Sequence, residues 1–133
     1  MTGPFVIPEE AQIQRLAERG EAGPVVMLNL LRFRESALEP AEGMTGVEAY
    51  GKYSLKVAPI LERTGGRVLT AARCEESVIG PAEPEWHLVI VVEYPSVSAF
   101  LEMIGLPDYL DAHRYRLAGV ADSRLVASTG LVP

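Results

Sequence analysis

A few side chains in this sequence carry the chemistry to hold or alter a small molecule, and Asn29 is the sharpest of them. It is the one amide inside the nearly unbroken apolar run Pro24-Val-Val-Met-Leu-Asn-Leu-Leu-Arg-Phe-Arg34. A buried amide without partners costs about 1–3 kcal/mol. It therefore bonds a neighbouring strand or a partner subunit, or else anchors a ligand in a pocket that is otherwise apolar. His113 lies between Leu110 and Leu117 on an apolar stripe. It reads either as a core histidine bonded through one ring nitrogen or as a proton shuttle or haem ligand. Tyr50 and Tyr53, three apart, read as aromatics at the edge of the core with wet hydroxyls, or as a pair with one hydroxyl turned to a ligand. Arg73 can pair with Glu93 across a sheet or meet a ligand. Arg114 and Arg116 read as a solvated helix face, His87 beside Trp86 as surface or interface, and Cys74 as an inert small hydrophobe or a reactive thiol.

Other chemistries are excluded by pattern. Gly46-Val-Glu-Ala-Tyr-Gly-Lys-Tyr53 nearly spells a phosphate-binding loop, but Tyr53 replaces the metal-binding hydroxyl. The stretch also sits inside an expected helix, where the backbone amides are not free to wrap phosphate. There is no Cys-x-x-Cys pair, no His-Glu-x-x-His and no nucleophile elbow, and the chain's two histidines argue against a multi-histidine metal site within one subunit. No metal and no cofactor is called for. A net charge of −6 and a pI near 4.9 argue against nucleic acid, whose binders present a basic footprint. No apolar run approaches the roughly eighteen residues of a membrane span, and the N-terminus lacks the basic region of a signal peptide. The single cysteine forbids an intrachain disulfide and fits a reducing cytoplasm.

The elements that must position these residues follow from periodicity and caps. At 133 residues, with 48% apolar and 23% charged side chains, the chain reads as one domain with a core of its own. Residues 8–20 predict an accessory helix, with Pro8 at its first position, the stripe Ile13, Leu16 and Ala17, and Gly20 as its stop. A turn at 21–24 leads into a central strand over 24–34. Alternation puts Val26, Leu28 and Leu30 on one face and Met27, Asn29, Leu31 and Phe33 on the other. The aliphatic set is expected beneath the helices and the Asn29 set on the opposite, concave face. Glu35 to Met44 reads as a loop, either a lid or an inert insertion.

Thr45-Gly-Val-Glu48 is a capping box that opens a helix to about Thr64, with Val47, Tyr50, Val57, Ala58 and Leu61 inward, Pro59 bending it and Gly65-Gly66 ending it. Strands are expected over 67–79 and 86–94 as a hairpin. Ser96 caps a helix over 97–104, a second piece runs over 108–120 with the stripe Leu106, Leu110, His113, Leu117 and Val120, and a last strand covers 123–129 before a tail at 130–133. Right-handed crossovers place both main helices on one face of a four-stranded antiparallel sheet. The fold class is α+β, a ferredoxin-like βαββαβ arrangement with an extra N-terminal helix. A central strand apolar on both faces needs a second cover, which a second copy can supply.

These residues resemble the family grouped as domain of unknown function 1330, in the dimeric α+β-barrel superfamily. The likeness rests on Asn29-Leu-Leu-Arg-Phe33, Glu48-Ala-Tyr50-Gly-Lys-Tyr53, Ala58-Pro-Ile-Leu61 with Gly65-Gly-Arg67, Glu93-Tyr-Pro-Ser96-Val-Ser-Ala-Phe100, Pro107-Asp-Tyr109 and Asp122-Ser-Arg-Leu-Val126. Together these span about residues 24–129. The resemblance implies a homodimer whose sheets face each other around a pocket, and it brings no established reaction. Relatives of the fold include cofactor-independent monooxygenases and haem-degrading enzymes, by analogy only. Three functions are therefore carried forward. The first is a homodimer binding a small apolar or aromatic molecule on the sheet face, through Asn29, Tyr50, Tyr53 and Arg73. The second is a monooxygenase-like or haem-handling enzyme with His113 or Tyr53 moving a proton. The third is a structural dimer without ligand.

Overall fold

A computed structural model describes residues 4–20 and 23–131. The expected turn at 21–24 and tail at 130–133 fall partly outside the described residues. The elements run α1 (Glu10–Glu18), β1 (Val25–Phe33), α2 (Gly46–Arg63), β2 (Arg67–Arg73), β3 (Leu88–Tyr94), α3 (Val97–Ile104), α4 (Pro107–Gly119) and β4 (Val120–Ser128). The sheet is antiparallel throughout, in the order β2-β3-β1-β4, which is the ferredoxin-like split arrangement. β1 sits inside it, with seven register partners on β3 from Val25↔Tyr94 to Leu31↔Leu88. Its backbone bonds are used on both sides, so its near-continuous apolar character is what the position demands.

Local chemistry sets the helix ends. The Thr45 amide donates to Glu48 Oε1 at 2.8 Å and the Glu48 amide to Thr45 Oγ1 at 3.1 Å, so the box opens α2 as expected. Gly65, at φ +86°, ends it in a conformation that costs glycine nothing. Ser96 Oγ accepts from the Ala99 amide at 3.0 Å and opens α3. α1 is capped by Glu9 with Gln12, so Pro8 lies before the helix and not at its first position.

The faces of β1 are reversed from the expectation. Val25, Met27 and Leu31 are the buried set and pack against Ile60, Val97, Phe100, Met103 and Tyr50 from the helices. Asn29 shares that face by alternation, while Val26, Leu28 and Leu30 point away from the helices and are only partly covered. Both sets are apolar enough for either side. The Asn29 amide finds partners within the sheet: Nδ2 donates to the carbonyls of Ile90 at 3.3 Å and Met27 at 3.4 Å.

Two helical stripes are likewise rotated. α2 turns Gly46, Ala49, Tyr50 and Ile60 inward and leaves Val47 60% exposed, with Ala58 also exposed. The small pair Gly46 and Ala49 lets α2 approach Ala118 and Gly119 at the end of α4, which fixes the rotation. α4 turns in Tyr109, Ala112, Arg116 and Gly119, one residue out of step with the expected stripe, and Leu110 is 52% exposed. The hairpin is shorter than expected. β2 stops at Arg73 because β3 starts at Leu88, and the last bond of the ladder is from the Cys74 amide to the His87 carbonyl. The loop over 35–44 is tied down by Leu38 N–H to the Ala118 carbonyl at 2.9 Å and by buried Ala41. Among the described residues no helix is long and apolar enough to cross a membrane.

Candidate functional site

α4 places Tyr109, His113 and Arg116 at i, i+4 and i+7, so all three project along one side of the helix. That side faces a half-open cavity of about 650 Å³ bounded by three other parts of the chain. Met27, Leu125 and Ala127 from the sheet make its floor, and Phe100 and Ile104 of α3 make one wall. Ile13 and Leu16 of α1, with Phe5 to Ile7 before it, make the other. The size and the mainly apolar lining with a few converging polar groups are those of a small-molecule pocket.

The N-terminal segment is built into this cavity by hydrogen bonds. The Phe5 amide donates to Asp122 Oδ1 at 2.9 Å, and the Ser123 amide and hydroxyl both donate to the Phe5 carbonyl at 2.8 Å. Arg116 Nη1 donates to the Val6 carbonyl at 2.6 Å and Nη2 to Ser123 Oγ at 3.4 Å. The accessory part of the chain is thus a wall of the site.

His113 stacks on Tyr109, with ring centroids 5.6 Å apart and planes at 26°. Its Nδ1 is buried and has no hydrogen-bond partner among the described residues. Burial, and after it the nearby Arg116 charge, push its pKa down from 6.5 to about 4, so the ring is neutral at physiological pH. Tyr109 leads on to a buried phenol ladder. Its hydroxyl lies 3.3 Å from that of Tyr53, and the Tyr53 ring packs on Tyr50 with centroids 5.2 Å apart. Burial pushes the Tyr53 phenol well above its usual range and that of Tyr50 up to about 12. Both hydroxyls therefore keep their protons and act as hydrogen-bond groups, not as bases.

The structure brings some of the expected residues together and separates others. His113 lines the cavity, Tyr53 meets it through Tyr109, and Tyr50 stands behind Tyr53 against Phe33. Asn29 is not on the cavity wall, because its amide is used within the sheet. Arg73 lies far along the exposed edge strand and pairs with Glu75 at 3.3 Å; Glu93 pairs instead with Arg67 at 3.0 Å, its register partner. The cavity is on the helix side of the sheet and not on the open face where it was expected. Arg116 is not on a solvated face: it is 9% exposed. Tyr109, Ser123 and the Phe5–Ile7 segment are the residues that sequence reasoning did not single out for the site, and Arg116 is the one it placed in solvent. The spacing of Tyr109, His113 and Arg116 was the available signal. His87 stays outside the site, its Nδ1 accepting from the Phe33 amide at 3.0 Å. Among the described residues no three of His, Cys, Asp or Glu gather as a metal site requires.

The opposite face of the sheet has a different character. Leu28 and Leu30 of β1 sit beside Val91 and Val89 of β3, with Val126 next to Leu28 on β4. Ion pairs rim this patch, Arg67 with Glu93 and Arg124 with Asp122 at 2.7 Å.

Comparison with known proteins matches this fold. A protein of unknown function from Rhodopseudomonas palustris has a crystal structure 40% identical in sequence, with a TM-score of 0.91 over 98% of this chain and 100% of that one. A dimeric protein of unknown function with a ferredoxin-like fold from Bacteroides fragilis matches over 80% of this chain and 95% of its own, at 11% identity and a TM-score of 0.55. A cofactor-independent oxygenase from Streptomyces nogalater matches over 84% and 97%, at 14% identity and 0.56. The last two likenesses are of fold alone. No curated protein matches the chain in sequence. A family model described as Domain of unknown function (DUF1330) matches residues 42–131.

Proposed function

The chain belongs to the DUF1330 family, and from that premise we propose a homodimer of single-domain subunits, each binding one small apolar or aromatic molecule behind α4. The cavity carries this reading: about 650 Å³, walled by Met27, Phe100, Ile104 and Leu125, with an unpartnered imidazole nitrogen on a residue of its lining. The ligand residues in this reading are His113, Tyr109 and Arg116, with Tyr53 and Tyr50 supporting them from behind. Asn29 and Arg73 have no part in it. The open sheet face supports the dimer, since a contiguous apolar patch rimmed by charge marks an interaction surface, and a neighbour of the same fold is described as dimeric. A cytoplasmic setting fits the single cysteine.

Fluorescence titration with 2-naphthol, a neutral aromatic of suitable size, tests the pocket. Saturable binding to the native protein, abolished in Ile104→Trp, is the expected result. Binding unchanged in that variant, or no binding at all, rejects the cavity as the site.

A second reading, an oxygenase needing no cofactor, is favoured by one observation. A neutral imidazole and a hydroxyl pair, Tyr109 with Tyr53, meet at the cavity and offer a route for a substrate proton. Dioxygen uptake with a hydroxylated aromatic, lost in His113→Leu, tests it; no uptake with a panel of such phenols that bind the cavity rejects it.

A further inference from the structure

We infer that the occupant of this cavity is an apolar monocarboxylate whose charge is met by Arg116, an assignment that rests on the pocket reading above and adds the chemistry of its ligand. Arg116 is the one buried arginine among the described residues. A guanidinium cannot shed its proton, so its charge is buried with it. Its hydrogen-bond partners, the Val6 carbonyl and the Ser123 hydroxyl, are both neutral, and among the described residues no carboxylate pairs with it. A buried charge without a counter-charge is a heavy penalty that proteins otherwise avoid.

The lining shows the same imbalance independently. Among the described residues it holds two arginines, Arg116 and Arg124, and neither aspartate nor glutamate, in a chain whose net charge is −6. Arg124 is answered by Asp122 at 2.7 Å. One positive charge is left over at the cavity, which matches a monoanion and not a phosphate dianion. His113, three residues before Arg116 on the same wall, is neutral at physiological pH and leaves that balance unchanged. The remaining walls, Met27, Phe100, Ile104 and Leu125, suit a ring system or a branched aliphatic body.

The experiment is calorimetric titration of the whole protein with 2-naphthoate and with 2-naphthamide, which share shape and differ in charge. Naphthoate is expected to bind about tenfold tighter or better, the difference a charge-assisted bond makes. The preference should fall to about twofold or less in Arg116→Met, and naphthoate binding should vanish in Ile104→Trp. Equal affinity for acid and amide overturns the anion assignment and leaves the pocket standing. Binding of neither probe removes the pocket and the assignment with it. Naphthoate binding that persists in Ile104→Trp places the anion on a surface arginine and overturns the assignment. The acid-to-amide ratio on the native protein and the Ile104→Trp result decide the matter even where Arg116→Met does not fold.

Discussion

Arg116 Nη1 donates to the carbonyl oxygen of Val6 across 2.6 Å, joining α4 to a segment 110 residues earlier in the chain. With the Ser123 bonds to Phe5, this is what holds the N-terminal segment against β4 and closes the cavity on that side. Arg116→Leu should free the segment. Chymotryptic cleavage at Phe5 should become fast, and stability to urea should fall by about 1–3 kcal/mol, the loss of bonds to a charged donor being partly offset by removal of a buried charge. Cleavage as slow as in the native protein would show that the segment is held by its apolar contacts instead.

His113 has a folded pKa of about 4 against the usual 6.5. Between those values the unfolded chain takes up a proton that the folded chain refuses. Its contribution to stability is therefore complete above about pH 6.5 and declines as the pH falls toward 4. The His113 ring protons should show no titration by NMR between pH 7.5 and 5, conditions that bracket the unfolded value. His113→Leu should flatten the melting temperature across the same window. A midpoint near 6.5 in the native protein would mean that the ring is open to water.

Asn29→Leu is expected to cost about 0.5–1.5 kcal/mol, because the two hydrogen bonds it removes are long and within the sheet. Probe binding in the cavity should be unchanged. A loss of affinity with stability intact would return Asn29 to the site.

Gly119 and Gly51 should respond to alanine in opposite directions. A Cβ on Gly119 would meet the Ala49 Cβ at 3.2 Å and collide with the Gly46 carbonyl, so Gly119→Ala should lose about 1–3 kcal/mol in chemical denaturation. Gly51, inside α2 with nothing near its Cβ position, should gain about 0.5–1 kcal/mol as alanine. A neutral Gly119→Ala would mean that α2 and α4 can move apart cheaply.

Leu28 lies opposite Val91 in the middle of the open sheet face. Leu28→Glu would bury a carboxylate at the centre of the proposed dimer contact, and the protein should sediment as a monomer at micromolar concentration with its circular dichroism unchanged. A native protein that is already monomeric, or a Leu28→Glu variant that remains dimeric, moves the dimer contact elsewhere or removes it.

The sequence alone determined the order and type of the elements around the sheet. The Thr45–Glu48 box, the Gly65–Gly66 stop, the Ser96 cap and the nearly unbroken apolar run at 25–33 are local signals, each read within a few residues of where it acts. It also carried the family, through short motifs in a fixed order along the chain. The site was not legible in the same way. Which face of β1 meets the helices depends on the packing of Met27 and Leu31 against Ile60, Phe100 and Tyr50, residues far along the chain. Whether Arg116 is wet or buried depends on Val6 and Ser123 closing over it from two other parts of the chain. A helical stripe read from hydrophobicity alone placed Arg116 outside, because periodicity records what a side chain prefers and not what is packed against it. Tertiary contact turned a charge that looked solvated into the polar centre of a cavity.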